Sequence, residues 1–206
     1  MEMDWYVPPD ARESLPAVLI VGGYPGRINA MEPVKAWARR IADAGMIAAA
    51  YANEDPIADV HRAIEELRTR TDRIALFASS GNVAVALSAL RGVRCAALLY
   101  GCMLDLDERT RSFGFADPKT RFEDIPRDVP LLLVRAGRDQ FDGINDSIDR
   151  FVAQSLAHNL PITLINDADA THASDSDEVI RATLRFLQTH LLESDAADST
   201  SSSARS

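Results

Sequence analysis

Six short apolar runs recur along the chain, and each stops at small or polar residues. The runs are continuously apolar rather than alternating, which is typical of strands buried on both faces of a parallel sheet. Trp5 to Val7 predicts one further short strand at the edge of that sheet. The six runs predict strands at residues 16–21, 46–51, 74–78, 95–100, 130–134 and 162–165.

Between the runs, apolar residues recur at helical spacing, with charged residues among them. The boundaries of these segments carry the proline, glycine and short polar residues that are typical of helix ends. Helices are predicted from Pro33 to Gly45, from Asp55 onward, at about 81–91, at 144–156, and from a capping box of Ser174 and Asp177 to Leu191.

Strands that alternate with helices predict an α/β fold, whose mostly parallel sheet has about six or seven strands and carries helices on both faces. The segment 102–129 is polar and irregular, so it predicts a small cap at most and no large lid. One domain is therefore expected over residues 16–192, after a lead-in at 1–15. The remaining residues, 193–206, are dominated by Ser, Asp, Ala and Thr and predict a disordered tail.

The composition restricts the class of protein. Of the 206 residues, 47% are hydrophobic, which indicates a globular chain that can bury a core. The net charge of −9 argues against nucleic acid or an anionic membrane as a partner, because both require basic surfaces. Cys95 and Cys102 do not form a disulfide framework, and neither a secretory signal nor a membrane-spanning run is visible. A cytoplasmic location is expected.

The stretch Ile74–Leu87 predicts a buried strand that turns sharply into a buried helix. A serine at such a turn exposes its hydroxyl above the sheet, and the N-terminus of the helix points at it. If Ser80 is the nucleophile, the residue two positions before it is the small Ala78. If Ser79 is the nucleophile, that residue is the bulky Phe77. Ser80 is therefore the preferred nucleophile. Turns of small residues also occur in α/β proteins without catalytic activity, so this stretch alone does not establish a catalytic serine.

Two other strand ends carry the groups that would activate a serine. The fifth run leads into Asp139, and the sixth leads into His172. Ligands bind at the carboxyl ends of the strands in such sheets, so the three side chains are expected to converge. An imidazole can take the proton of a serine hydroxyl, and a carboxylate can fix the tautomer of that imidazole. Asp142 competes with Asp139 for the role of the acid.

The first run ends at Gly22, Gly23 and Tyr24, where backbone N–H groups would lie beside the serine. The N–H of Gly81, together with that of Gly23 or Tyr24, is predicted to form an oxyanion hole. An ordinary strand-to-helix loop is the alternative interpretation of these glycines.

The remaining polar residues have structural interpretations. Asp139 has an alternative interpretation as a helix cap, and His172 has one as a solvated loop residue. Asp167 and Asp169 are interpreted as turn residues, and neither a metal nor another cofactor is expected, because no His or Cys stands at ligand spacing. No role is assigned to the His and Ser residues on predicted helices, which are His61, His158, His190 and Ser88.

The order serine, aspartate, histidine at successive strand ends, with Leu19–Gly23 early in the chain, resembles the α/β-hydrolase superfamily. The stretches Pro130–Asp139 and Ile162–His172 resemble its dienelactone-hydrolase-like branch of small serine esterases. The resemblance extends over about residues 16–191. It implies an α/β-hydrolase fold in which the serine is the nucleophile, the histidine is the base and the aspartate is the acid.

The chain departs from this family in two places. Asn82 stands where the turn usually carries a glycine, and the part before the first strong strand is too short for the family's full leading hairpin. Dienelactone hydrolases also use a cysteine nucleophile, whereas this chain has Ser80. The resemblance therefore implies the hydrolase chemistry without implying activity on dienelactones.

Two functions are compatible with these observations. The leading hypothesis is a carboxylesterase-like serine hydrolase that cleaves small carboxylic esters or thioesters through an acyl-enzyme. The alternative is a non-catalytic protein of the same fold that binds a small molecule or another protein, motivated by the imperfect turn and the short N-terminal part. The pocket walls are expected to draw on Tyr24, Met103, Leu104 and Phe113, and a homo-oligomer is compatible with the sequence.

Overall fold

A seven-stranded sheet runs through the computed structural model of the protein, which describes residues 1–9, 15–104, 106 and 108–192. The predicted tail at 193–206 lies outside the described residues. The strands are β1 (Met3–Tyr6), β2 (Ala17–Ile20), β3 (Ile47–Tyr51), β4 (Ile74–Ser79), β5 (Cys95–Leu99), β6 (Leu131–Ala136) and β7 (Ile162–Asp167). The helices are α1 (Glu32–Asp43), α2 (Pro56–Arg68), α3 (Val83–Ser88), α4 (Glu108–Ser112), α5 (Ile144–Ala157) and α6 (Asp177–Leu192). Short 3-10 helical turns lie at Ile28–Ala30, Ser80–Asn82 and Phe122–Asp124.

The strands follow the order β1-β3-β2-β4-β5-β6-β7 across the sheet. Every neighbouring pair is parallel except β1 and β3, which are antiparallel. This confirms the predicted mostly parallel sheet and its short edge strand. In the register of the sheet, Leu76 of β4 lies between Leu19 of β2 and Ala96 of β5. The end of β4 therefore lies at the centre of the carboxyl edge of the sheet.

The apolar runs are continuous because the central strands have helices on both faces. Every residue of β2 and β5 is buried. On one face, side chains of α2, α3 and α5 cover the sheet, and on the other face side chains of α1 and α6 do so. The edge strand β7 instead exposes Thr163 and Leu164. Burial on both faces thus distinguishes the central strands from the edge.

Two helix boundaries differ from the prediction. The helix expected over 81–91 is a 3-10 turn followed by the short α3, which ends at Ser88. The last helix begins at Asp177 and is capped by Ser176, whose Oγ accepts the N–H of Val179 at 3.3 Å. The predicted cap, Ser174, uses its carbonyl to accept the hydroxyl of Tyr100 at 3.0 Å. The local sequence is compatible with a cap at Ser174 or at Ser176. The tertiary hydrogen bond from Tyr100 to Ser174 accompanies the cap at Ser176.

Candidate active site

Ser80 lies directly after β4 in a sharp turn. Its φ is 59°, in the left-handed region that residues other than glycine rarely adopt, whereas Ser79 has an extended φ of −136°. Pairing of β4 with β5 on one side and the start of α3 on the other hold this conformation. Such strain persists where the surrounding structure enforces it, and it is common at functional sites. The turn has the form of a nucleophile elbow.

The structure brings Ser80, His172 and Asp139 into one chain of hydrogen bonds. The Nε2 atom of His172 lies 2.9 Å from Ser80 Oγ, and its Nδ1 atom lies 2.8 Å from Asp139 Oδ2. A carboxylate only accepts, so Nδ1 carries the proton and Nε2 is left to accept the proton of the serine hydroxyl. The side chains of His172 and Asp139 are 9% and 1% exposed. This is the geometry that activates a serine.

The carboxylate of Asp139 is fixed through both of its oxygens. While Oδ2 accepts from His172, Oδ1 accepts the backbone N–H of Phe141 at 2.9 Å. The ring of Phe141 then packs edge to face on the imidazole, with 4.7 Å between ring centroids. Asp142, the competing candidate for the acid, is exposed and lies on the wall of a neighbouring cavity. The geometry therefore favours Asp139 over Asp142.

The loop that carries His172 is held by distant side chains. The indole N–H of Trp37 donates to Asp175 at 2.9 Å, and the side chain of Gln140 accepts the backbone N–H of His172 at 3.0 Å. Burial raises the pKa of the Asp175 carboxyl, although the Trp37 N–H and the nearby Arg40 guanidinium favour its charged form. Sequence reasoning missed these supports, because Trp37 and Asp175 are 138 positions apart and neither belongs to a motif.

Gly137 allows the loops that carry Asp139 and His172 to approach each other. A Cβ atom at this position would lie 2.3 Å from the carbonyl oxygen of Ala168 and 2.6 Å from its Cα. The backbone N–H of Gly137 donates to the carbonyl of Asp167 at 2.7 Å. Only glycine permits this approach.

The substitution Gly137→Ala is expected to lower the free energy of unfolding by about 1–3 kcal/mol, the range typical of overpacking. The two backbones must separate to admit the methyl group, since no flexible side chain can move aside. Denaturant unfolding of the wild type and the variant measures the effect. An unchanged midpoint and slope would show that the loops separate without cost and that the close approach is not required.

The three predicted oxyanion donors differ in whether their N–H groups already make a hydrogen bond. Within the described residues, the backbone N–H groups of Tyr24 and Gly81 donate no hydrogen bond. The N–H of Gly23 donates to Asn82 Oδ1 at 2.7 Å. This differs from the prediction that Gly23 is available to an oxyanion, because its donor is already engaged by a side chain. Tyr24 and Gly81 remain as the candidate pair.

Two cavities meet at Ser80. One, of about 440 Å³, has a mainly apolar wall that includes Phe113 and Phe141, and Arg109 and Asp142 also line it. The other, of about 300 Å³, lies towards Trp37. Ser80, Tyr24 and Phe115 line both, and the rings of Tyr24 and Phe115 pack edge to face, with 5.3 Å between their centroids. These two rings form a wall between the cavities.

Of the predicted wall residues, Tyr24 and Phe113 line the larger cavity beside Ser80. Met103 and Leu104 instead line a separate cavity with Phe122. Their prediction as walls of the site was wrong because the path of the irregular segment after β5 could not be deduced from its sequence. That segment contains α4 and a 3-10 turn, with no large lid among its described residues.

The residues interpreted as structural have other contacts. Ser88 donates to the carbonyl of Val85 at 2.7 Å, and the ring of His158 packs on Phe122. Asp169 forms an ion pair with Arg138 at 2.6 Å. Among the described residues, no cluster of three or more His, Cys, Asp or Glu could hold a metal ion, and no helix is long and apolar enough to span a membrane. Both cysteines are free and buried, and burial raises the pKa of the Cys95 thiol to about 12.

The strand order, the covering helices and the serine at the end of the central strand define the class of fold. They are the architecture of the α/β-hydrolase fold, in which the nucleophile lies on a turn between a strand and a helix. The chain has this fold, as solved structures of other proteins also show.

No family model and no curated protein is similar enough to this sequence to match it. Esterase B from Lactobacillus rhamnosis, in a structure with a tributyrin phosphonate, has a TM-score of 0.75 at 13% identity, covering 96% of this chain and 83% of that one. Esterase 2 from Thermogutta terrifontis has a TM-score of 0.72 at 16% identity, covering 93% and 88%. An esterase of the bacterial hormone-sensitive lipase family has a TM-score of 0.68 at 20% identity, covering 92% and 81%.

At such identities the similarity establishes the fold alone. It does not single out the dienelactone-hydrolase-like branch, which stays a prediction.

Proposed function

We propose that the protein is a serine hydrolase that cleaves small carboxylic esters or thioesters through an acyl-enzyme. The observation that carries this proposal is the hydrogen-bonded chain from Ser80 through His172 to Asp139, located where two cavities meet. A ligand-binding protein would have no need for a buried carboxylate aligned with an imidazole and a strained serine. The esterase activity of the structural neighbours agrees with the proposal.

In the first half of the reaction, Ser80 Oγ attacks the carbonyl carbon of the ester as His172 Nε2 takes its proton. The carbonyl oxygen becomes an oxyanion, and the N–H groups of Tyr24 and Gly81 donate to it. The bond to the leaving alcohol or thiol then breaks, and His172 returns the proton to that group. The products are the free alcohol or thiol and an acyl group on Ser80.

In the second half, water attacks the acyl carbon while His172 again accepts a proton. The tetrahedral intermediate forms in the same oxyanion hole and collapses as His172 returns the proton to Ser80 Oγ, which releases the carboxylic acid and restores the Ser80 hydroxyl. Throughout, Asp139 holds the imidazole in one tautomer and stabilises its positive charge without taking the proton. The side chains of His172 and Asp139 are almost fully buried, which strengthens these interactions.

The cavities indicate small substrates whose two arms are both apolar. The larger cavity accommodates one arm of the ester, and the smaller cavity towards Trp37 accommodates the other. Among the structural neighbours, one was solved with a tributyrin phosphonate and another with bound propionate. These ligands agree with short-chain esters as substrates.

The proposal is tested by incubating the purified protein with p-nitrophenyl acetate, butyrate and octanoate and following release of nitrophenolate. Saturable turnover of at least one short-chain ester, well above the rate in buffer, is expected. If the folded protein binds these esters but does not turn them over, the binding-protein alternative replaces the proposal.

Phe115 is expected to restrict the size of the substrate, because its ring forms half of the wall between the cavities. Phe115→Ala joins the two spaces, so kcat/KM for the octanoate ester should rise about tenfold relative to that for the acetate ester. Phe113→Ala is the matched control, since Phe113 is exposed and lines only the larger cavity. It should leave the ratio close to that of the wild type. An unchanged ratio in Phe115→Ala would contradict the assignment of the wall.

A further inference from the structure

We infer that Asn82 is a positioning residue, whose side-chain amide sets the geometry of the oxyanion hole by tying the loop after β2 to the turn after β4. The inference rests on the proposed function, and it concerns Asn82, which stands where the turn usually carries a glycine. Asn82 does not itself touch the reacting atoms. It acts through the backbone of Gly23.

Both ends of the Asn82 amide are used. Its Oδ1 accepts the N–H of Gly23 at 2.7 Å, and its Nδ2 donates to the carbonyl of Ser79 at 2.8 Å. These two partners are 56 positions apart in sequence; Gly23 lies in the loop after β2 and Ser79 is the last residue of β4. The amide thus forms a bridge between the loops, directly beside the nucleophile.

The backbones are already in close contact at this bridge. A Cβ atom on Gly23 would lie 2.8 Å from the Cα of Asn82 and 3.0 Å from the carbonyl oxygen of Gly81. Only glycine at position 23 lets the N–H reach the amide at this distance. Gly23 and Asn82 therefore act as a pair, in which the glycine admits the side chain and the side chain engages the glycine.

The bridge also determines which N–H group is left for the substrate. The peptide unit before Gly23 is held by Asn82, and the next one is held through the Gly23 carbonyl, which accepts the N–H of Ala116 at 2.7 Å. In a planar trans peptide the N–H points opposite to the C=O, so this second bond directs the Tyr24 N–H away from Ala116. Two successive peptide planes are thus fixed, one by Asn82 and one by the segment after α4.

Preorganised donors stabilise a transition state because they do not have to reorient as charge develops. Removing the bridge should therefore reduce kcat while leaving substrate binding in the cavities, and hence KM, nearly unchanged. For Asn82→Ala the expected loss in kcat is about tenfold to a hundredfold, smaller than the loss for removing an oxyanion donor itself.

Asn82→Asp separates positioning from a structural role. It has nearly the shape of asparagine and keeps an acceptor for Gly23, so a structural role predicts a milder effect than Asn82→Ala. If Asn82 positions the oxyanion hole, Asn82→Asp should lower kcat more than Asn82→Ala does. A carboxylate cannot donate to the Ser79 carbonyl, and its negative charge opposes an oxyanion nearby. Asn29→Ala is the matched control, since it removes a buried amide whose partner, Asp4, lies in the edge strand β1. It should lower the melting temperature without changing kcat.

The experiment measures kcat, KM and thermal unfolding of wild type and the three variants with p-nitrophenyl butyrate. The expected result is a fall in kcat in the order wild type, Asn82→Ala, Asn82→Asp, with KM nearly constant. An unchanged kcat in either folded Asn82 variant overturns the inference but leaves the proposed function intact. If Asn82→Ala does not fold, Asn82→Asp decides by the same comparison of kcat and KM. A wild type without turnover overturns both the proposed function and the inference.

Discussion

Replacing Ser80 with alanine is expected to lower ester turnover by about 10⁴-fold or more, to a level near the background rate. The substitution removes only the Oγ atom, which lies 2.9 Å from His172 Nε2 and is the proposed nucleophile. No other group in the chain of hydrogen bonds can form the acyl-enzyme. Steady-state turnover of p-nitrophenyl butyrate measures the loss, and circular dichroism checks that the fold is retained.

Ser79→Ala is the matched control for this prediction. Ser79 directly precedes the proposed nucleophile and has the same side chain, but its extended backbone places it at the end of β4. Its carbonyl, which Asn82 uses, is unaffected by the substitution. Turnover by Ser79→Ala should stay close to that of the wild type. If Ser79→Ala is inactive and Ser80→Ala is active, Ser79 is the nucleophile instead of Ser80.

The second large effect is expected for Asp139→Asn, with a loss of about 10⁴-fold in kcat. An amide at this position can donate a hydrogen bond to Nδ1, which would place the imidazole proton on Nε2 and leave it unable to accept from Ser80. The negative charge that stabilises the imidazolium is also lost. The shape of the side chain is retained, so the free energy of unfolding should change much less than the rate.

Asp142→Asn tests the alternative assignment of the acid. Asp142 is exposed at the cavity wall, and the contact with His172 is made by Asp139. Neutralising Asp142 should therefore leave kcat within a small factor of the wild-type value. A large loss in Asp142→Asn together with normal turnover in Asp139→Asn would exchange the roles of the two residues.

The convergence of Ser80, Asp139 and His172 was predictable because the apolar runs specify a parallel sheet. In such a sheet the carboxyl ends of the strands share one edge, so residues that are 59 and 33 positions apart along the chain meet there. The turn at Ser80 could be predicted from its small residues. Neither inference needed the exact path of any loop.

The supports of the site were not predictable in the same way. The bonds from Gly23 to Asn82 and from Trp37 to Asp175 join side chains to loops whose conformation depends on the whole fold. The sequence marked Asn82 only as a departure from glycine, and its contacts explain what the larger side chain does. Phe115 was one of several aromatic residues in an irregular segment without periodicity, so its place beside Ser80 had no local signal.

The proposed function rests on the claim that Ser80 is an activated nucleophile. Treatment of the folded protein with a fluorophosphonate, followed by mass spectrometry of its peptides, tests this claim directly, because the reagent phosphonylates serines whose hydroxyl is activated by a neighbouring base. Rapid, stoichiometric labelling is expected at Ser80, and it should be lost when His172 is replaced by alanine. An unlabelled protein, or an adduct elsewhere on the chain, would contradict the claim.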